Sequence, residues 1–165
     1  MPQCKKLELC PELVPKPLWG ISAYRKLGRS SWQRIRQDAV KSAHQSCEIC
    51  GESPNPIYGD PLMCHEVWRY RDSSATATLM GFEIHCAKCD LVTHMGRAMT
   101  HGLGDAALDQ LCRVNGVTRV EARRMYTDAL ALWEKRNAKK WRVTVARALL
   151  KRYPRLINLQ TTRAT

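Results

Sequence analysis

The chain has 165 residues, and its 27 Lys and Arg against 15 Asp and Glu give a formal net charge of +12. This length suits one domain with short terminal extensions. No apolar run is long enough to cross a bilayer, and the first residues lack the apolar stretch of a secretion signal. We therefore expect a cytoplasmic chain without a membrane partner, and the excess of positive charge favours a polyanionic partner such as nucleic acid.

The first 30 residues are rich in proline. Pro11, Pro15 and Pro17 forbid a long helix there, which predicts an irregular N-terminal arm over residues 1–30. A first helix is predicted from about Ser31, whose hydroxyl suits the N-cap position, to about Ser46.

Residues 47–94 differ in kind from the segments around them. Turn-forming residues cluster at 51–56 and again at 58–61. Strands are predicted at about 62–70 and 79–85, antiparallel, with the turn near residues 72–74. A helix is predicted to start near Cys89.

Beyond the glycines at 102 and 104, two more helices are predicted. The first spans about 105–114, and Thr118 with Glu121 forms a capping box that starts the second, which ends near Asn137. Residues 141–150 suit a strand or a helix. The predicted fold is α+β, with an arm over 1–30, a core over 31–104, a helical extension over 105–152 and a tail over 153–165.

Two Cys-x-x-Cys pairs, Cys47 with Cys50 and Cys86 with Cys89, carry the strongest signal. Two residues between cysteines let one tight turn present both sulfurs to one ion, and two such turns complete the tetrahedron that Zn²⁺ favours. In a reducing compartment eight cysteines favour metal binding over disulfides. We predict a structural zinc site; the alternatives are four buried free thiols or a redox pair.

A second group of ligand-type residues surrounds the cysteine pairs. His65 and Glu66 lie on the first predicted strand, and Asp90 follows the last cysteine directly. His94 lies four residues after Asp90, so a helix places both on one face. A nitrogen and oxygen set with open positions is typical of a catalytic divalent cation, here Mg²⁺ or Mn²⁺, rather than of a closed structural site.

Each of these residues also has a purely structural interpretation. His65 suits a core histidine bonded to backbone, Glu66 a solvated acid, Asp90 a helix cap and His94 a surface residue. His85, with His44 and His101, is expected to be structural or solvated rather than functional.

Charge is distributed unevenly along the chain. Residues 42–68 contain no Lys or Arg but four acids, whereas residues 119–155 contain twelve Lys or Arg and three acids. This pattern predicts an anionic pocket beside surfaces suited to phosphate. The residues predicted to contact nucleic acid are Arg119, Arg123, Arg124, Lys139, Lys140 and Arg142.

In this order the motifs resemble the zinc-knuckle branch of the HNH (ββα-metal, His-Me finger) endonucleases, over roughly residues 32–100. Bacterial and phage HNH-like proteins are similar over more of the chain. The elements that carry the resemblance are Trp32-Gln33-Arg34-Ile35-Arg36, Cys47 to Gly51, Cys64-His65-Glu66-Val67, and Cys86 to His94.

The resemblance implies a two-strand hairpin and a helix that together hold one divalent metal ion. It implies that His65 is the general base or a metal ligand, and that Asp90 and His94 are metal ligands. The family usually has His-His or Asp-His on the strand, whereas this chain has Cys64-His65-Glu66. If His65 is a ligand, Glu66 falls at the position of the base; if His65 is the base, Cys64 falls at the position of the ligand.

Two further departures from the family concern the residue after the last cysteine and an asparagine. Asp90 stands where His or Asn is usual, and Asn55 is the only asparagine between the cysteine pairs.

The resemblance, together with the excess of positive charge, predicts a divalent-metal-dependent DNA endonuclease. The alternative is a catalytically silent HNH-like zinc module, a phage or mobile-element factor that binds DNA or docks on a nucleic-acid-processing protein complex.

Overall fold

The computed structural model describes residues 9–53 and 61–161, so Cys4, Asn55 and most of the predicted turns between 51 and 61 lie outside the described residues. The fold is mixed α+β, as predicted. Its sheet has the strand order β1 (Met63–Arg71), β2 (Thr76–His85) and β3 (Arg142–Val145). Strands β1 and β2 form an antiparallel hairpin, and β3 runs parallel to β2.

Helices precede, separate and follow the strands along the chain. They are α1 (Ala23–Leu27), α2 (Arg29–Ser42), α3 (Ala87–Thr93), α4 (Met95–Thr100), α5 (Gly104–Asn115), α6 (Arg119–Asn137) and α7 (Arg147–Arg152), with 3-10 turns at Lys16–Leu18 and Pro154–Leu159. No helix within residues 9–53 and 61–161 has both the length and the apolar character needed to cross a bilayer.

The hairpin agrees closely with its prediction. Strand β1 starts one residue after the predicted boundary, and β2 starts at Thr76, three residues early. The early start has a packing reason: Ala77 and Leu79 are fully buried, and residues 72–75 suffice for the turn. Hydrogen bonds from the Arg136 guanidinium at 2.9 and 3.1 Å anchor the turn at Asp72.

The predicted start of one helix is wrong, and the predicted start of another is confirmed. Helix α2 begins at Arg29, after Gly28 with φ +75°, and the Ser31 hydroxyl accepts a bond from Arg155 instead of capping the helix. Gly28 has a positive φ, which residues other than glycine rarely adopt, so the helix begins directly after Gly28 and not at Ser31. The capping box of Thr118 and Glu121 is confirmed at the start of α6.

Residues 141–150 contain both of the structures that the sequence allowed. Strand β3 pairs with β2 through register partners such as Thr78 and Thr144, whose hydroxyls lie 2.8 Å apart. Trp141, with no exposed surface, anchors the start of this strand, and α7 follows it directly.

The N-terminal segment packs against the core although it has little regular structure. Leu9 is 1% exposed, and its backbone N–H and C=O both bond to the Asn115 side chain. The Glu12 N–H donates to the Thr93 carbonyl at 3.0 Å, just after the second cysteine pair. The segment therefore brings residues from the start of the chain to the hairpin and to α3.

Candidate metal centres

The two Cys-x-x-Cys pairs meet, as the sequence predicted. The sulfurs of Cys47, Cys50, Cys86 and Cys89 all lie within 4.8 Å of one another, and Cys50 Sγ is 3.7 Å from Cys86 Sγ. Zinc–sulfur bonds of about 2.3 Å in a regular tetrahedron require sulfurs about 3.8 Å apart. The four cysteines are positioned to bind a metal ion.

Backbone turns aim each pair of sulfurs. The Gly51 N–H donates to the Cys47 carbonyl at 2.8 Å, and φ of +73° at Gly51 lets the chain reverse there. The second pair lies on the first turn of α3, where the Asp90 N–H donates to the Cys86 carbonyl at 3.0 Å. Asp90 is therefore tied by its backbone to the cysteine cluster.

Two hydrogen bonds join the hairpin to the first cysteine pair, Cys47 and Cys50. The Glu48 N–H donates to the Ile84 carbonyl at 2.8 Å, and the Ile84 N–H donates to the Glu48 carboxylate at 2.7 Å. Ile84 is fully buried and comes two residues before Cys86. These two bonds fix the end of β2 against the first cysteine pair.

The sulfurs are close enough to share protons. A hydrogen bond with Cys89 lowers the pKa of the Cys47 thiol to about 4, and the same contact raises the pKa of Cys89. The buried amide of Gln110 also donates to Cys89 Sγ at 3.1 Å. The lowered pKa of Cys47 favours its thiolate, which is the form of cysteine that binds metal ions.

A second group of donor atoms lies beside the cysteines. Ligand atoms of His65, His85 and Asp90 lie within 4.8 Å of one another. All three residues are buried or nearly so, with side-chain exposures of 9% for His65, 1% for His85 and 10% for Asp90. Of these, the sequence predicted His65 and Asp90, whereas His85 was expected to be structural.

His65 is held by a residue from the N-terminal segment. Its Nε2 lies 3.2 Å from Glu12 Oε2. Burial alone would lower the pKa of His65, but the hydrogen bond and charge of Glu12, with the charges of Asp90 and Glu83, outweigh it and raise this pKa. His65 is therefore neither bonded to backbone nor solvated, and its partner is a carboxylate.

His85 stacks on His65, with ring centroids 4.9 Å apart and planes 16° apart. Its Nε2 lies 2.8 Å from Glu83 Oε2, on the residue that pairs with His65 across the hairpin. The hydrogen bond from His85 lowers the pKa of Glu83, so this acid is ionised at neutral pH. A carboxylate acceptor at Nε2 places the ring proton there and leaves Nδ1 as a lone-pair donor.

His94 ends α3 and lies at the edge of the group. Its Nε2 is 3.6 Å from Asp90 Oδ1, as the four-residue spacing predicted, and its side chain is 39% exposed. Its ring lies edge-on to His65 with centroids 5.2 Å apart. Burial, reinforced by His65 and Arg97 and opposed by Asp90, lowers the pKa of His94.

The two strand neighbours of His65 are engaged elsewhere. Glu66 accepts a bond from the Ala23 N–H at 2.7 Å and from the Trp68 indole at 3.2 Å, and its burial raises its pKa. Cys64 packs against the apolar cluster of Ala43, Leu62 and Ile84, and burial raises its thiol pKa to about 12. Neither side chain joins the group of His65, His85 and Asp90.

A cavity of about 410 Å³ borders this group. Glu12, His65, Asp90 and His94 line one part of it, and aromatic side chains such as Trp19 and Trp68 line much of the rest. Two cations, Arg25 and Arg97, also line the cavity and are exposed. These arginines could not be predicted from the sequence, because they come from α1 and α4, far from the basic stretch at 119–155.

The six cations predicted to contact nucleic acid divide into two sets. Arg119 forms ion pairs with Asp105 and Asp109, and Lys139 donates to the Asp72 carbonyl at 2.7 Å. The remaining four are exposed: Arg123, Arg124, Lys140 and Arg142.

Comparison of the chain with protein-family models, with curated proteins and with solved structures finds no significant match in any of the three.

Proposed function

We propose that this chain is a divalent-metal-dependent endonuclease of the HNH type that hydrolyses phosphodiester bonds in DNA. The observation that carries the proposal is the convergence of His65 and Asp90 beside the four-cysteine cluster. The resemblance in the sequence pairs these same residues at a catalytic metal. Strand β1 supplies His65 and helix α3 supplies Asp90, and the order β1, β2, α3 along the chain is the one expected of a ββα-metal core.

A structural zinc ion at the four cysteines is the first part of this proposal. The tetrahedral spacing of the sulfurs and the all-thiolate donor set favour Zn²⁺ over Mg²⁺, which prefers oxygen ligands. The ion would hold the loop of Cys47 and Cys50 to the start of α3. Because Glu48 of this loop is bonded to β2, Asp90 would be fixed relative to the hairpin that carries His65.

His65 is the proposed general base. Glu12 accepts a hydrogen bond from Nε2–H and so fixes the tautomer, which leaves Nδ1 to take a proton from the attacking water. The water oxygen bonds to phosphorus, the bond from phosphorus to the 3′ oxygen breaks, and the 3′ oxygen leaves. Asp90 and His94 would hold a divalent ion, which would supply positive charge to neutralise the phosphate and the leaving oxygen.

The direct test is conversion of supercoiled plasmid to nicked or linear DNA. Purified protein carrying one zinc per chain should convert the plasmid when Mg²⁺ or Mn²⁺ is added, and excess chelator should stop the reaction. Absence of conversion with every divalent metal tried, by protein that still binds DNA, would contradict the proposal.

Binding of DNA should depend on the exposed cations near the C-terminal end of the chain. Because each phosphate contact releases counterions, affinity should fall with salt, and removal of each contact should reduce the log–log slope by about 0.9. We expect weaker binding to all sequences, measured by fluorescence anisotropy across salt concentrations, when glutamine replaces Arg123, Arg124, Lys140 and Arg142.

A control with the same loss of charge uses exposed cations of α1 and α2. Glutamine there should leave the affinity within a few-fold of the parent protein; the residues are Lys26, Arg29, Arg34 and Lys41. An equal loss in both variants would show that net charge, and not a defined surface, determines the binding.

One observation favours a second candidate function, a catalytically silent zinc module that binds DNA or docks on a protein complex. The resemblance requires either Glu66 as base or Cys64 as ligand, and both side chains are engaged in packing or hydrogen bonds away from the group. A protein that binds DNA tightly and holds zinc, yet leaves plasmid intact, would be of this second kind.

A further inference from the structure

Two buried side-chain atoms stand out in the part of the chain that the structure describes. Glu12 Oε1 and His85 Nδ1 are the buried side-chain polar atoms there without a hydrogen-bond partner. Leaving such an atom unpaired is unfavourable, because the atom loses its hydrogen bonds to water without replacing them. Glu12 is hydrogen-bonded to His65, and the ring of His85 stacks on the ring of His65. Both unpaired atoms therefore belong to residues that contact His65.

The surroundings of His85 are those of a metal-binding histidine. Such a histidine commonly donates its other ring N–H to a carboxylate, which fixes the ring and raises its basicity. Glu83 Oε2 lies 2.8 Å from Nε2 and fills this role. The opposite nitrogen, Nδ1, is buried and unpartnered among the described residues, and His85 belongs to the group whose donor atoms lie within 4.8 Å of one another.

His85 also solves a problem that the first strand leaves. A ligand next to His65 on β1 would have to be Cys64 or Glu66, and both are engaged elsewhere. The end of β2 lies beside this position, because Met63 pairs with His85 across the hairpin. A ligand on β2 thus takes the place of one that β1 does not provide.

We propose that His85 is a metal ligand, and that its Nδ1 and the Asp90 carboxylate bind a transition metal ion in preference to Mg²⁺. The inference concerns the metal site used by the proposed nuclease, but it depends on metal binding and not on cleavage. Imidazole nitrogen suits Co²⁺, Ni²⁺ and Zn²⁺, whereas Mg²⁺ demands oxygen ligands and keeps its water. Nitrogen from His94, whose Nε2 lies 3.6 Å from Asp90 Oδ1, would strengthen this preference further.

The test is a calorimetric titration of Co²⁺ into protein that carries one zinc ion per chain. The absorption spectrum shows whether Co²⁺ has entered the cysteine site, because cobalt thiolates absorb strongly. The parent protein should bind about one Co²⁺ without thiolate absorption, and a large excess of Mg²⁺ should not displace it. The variant His85→Gln should bind Co²⁺ at least about 100-fold more weakly, since it loses a ligand.

Two further variants complete the design. Glu83→Gln should weaken Co²⁺ binding about 10–100-fold, because it removes the carboxylate that orients the ring. His101→Gln makes the same substitution at an exposed histidine of the chain and should leave Co²⁺ binding unchanged. If His85→Gln fails to retain its zinc, Glu83→Gln provides the test, because the Glu83 side chain is 36% exposed and we expect the fold to tolerate an isosteric change there.

Parent-like Co²⁺ affinity in Glu83→Gln and in zinc-loaded His85→Gln would overturn the inference, as would absence of Co²⁺ binding by the parent. Displacement of Co²⁺ by equimolar Mg²⁺ would overturn the preference. Failure of the nuclease proposal looks different: Co²⁺ binding that is lost in His85→Gln while no protein cleaves plasmid leaves the metal site standing and removes only the reaction.

Discussion

Replacing Cys50 with serine should abolish cooperative unfolding of the chain or lower its free energy of unfolding by more than about 5 kcal/mol. A structural zinc site contributes its binding energy to folding, and small domains have total stabilities of about 5–15 kcal/mol. Denaturant titration followed by tryptophan fluorescence measures the change, since Trp141 is fully buried. A strong chelator should have the same effect on the parent protein, and added Zn²⁺ should reverse it.

The structural reason is that the cysteines join two segments that lie far apart in the sequence. The cluster joins the loop before β1 to the start of α3, and the buried side chains around it include Val92, Met95 and Leu111. Loss of the ion would leave four adjacent thiols inside this core. Cys50→His should retain partial stability, because three cysteines and one histidine still bind zinc.

Cys112→Ala is the matched control for the loss of a cysteine. Cys112 is half-buried on α5 and packs against the same core without belonging to the cluster. Its replacement should cost about 1 kcal/mol. If Cys50→Ser were no more destabilising than Cys112→Ala, the cysteines would be ordinary core residues.

His65→Ala should reduce plasmid cleavage by a factor of about 10²–10⁴, the range that a positioned general base contributes. The zinc content and the far-ultraviolet circular dichroism should not change, because His65 is outside the cysteine cluster. The rate is measured from the loss of supercoiled plasmid at saturating divalent metal. Full cleavage by a His65→Ala protein would remove this histidine from the reaction.

Glu12→Gln separates the orientation of His65 from its chemistry. Gln retains an oxygen acceptor for the Nε2 proton but loses the charge, so we expect a smaller fall in rate, about tenfold. His101→Ala, at an exposed histidine that bonds to the Arg97 carbonyl on its own helix, should cleave at the parent rate. An equal loss in the Glu12 and His101 variants would point to a general effect on folding.

The sequence predicted most of the elements that position the sites. Alternating apolar residues and turn residues located the hairpin within a few residues, and a capping box located the start of α6, because these signals are local. The convergence of the four cysteines was also predictable, since the chemistry of a tetrahedral ion requires two pairs at this spacing.

What the sequence could not show depends on contacts between distant residues. Glu12 lies 53 residues before His65, and nothing in the proline-rich segment marks it as a partner. The sequence favoured a structural role for His85, because nothing marks its hydrogen-bond partner Glu83 as more than an ordinary strand residue. Only the hairpin register places Glu83 opposite His65. The engagement of Glu66 by the backbone of α1 is likewise a tertiary contact.

The arm shows the same limit. Within residues 9–28 the structure has only a 3-10 turn and the five-residue α1, as the proline content predicts. The proline content does not indicate that residues from 9 onward pack on the core and line the cavity. That packing comes from single contacts, such as those of Leu9 with Asn115. Isolated contacts of this kind leave no periodic pattern in the sequence.

Elemental analysis combined with X-ray absorption at the zinc edge tests the central claim, that four cysteines hold one metal ion beside a nitrogen and oxygen pocket. Protein purified without added metal and passed through a desalting column should contain one zinc per chain, surrounded by four sulfurs at about 2.3 Å. A zinc content near zero, or zinc surrounded mainly by oxygen and nitrogen, would show that these four cysteines do not form a zinc site.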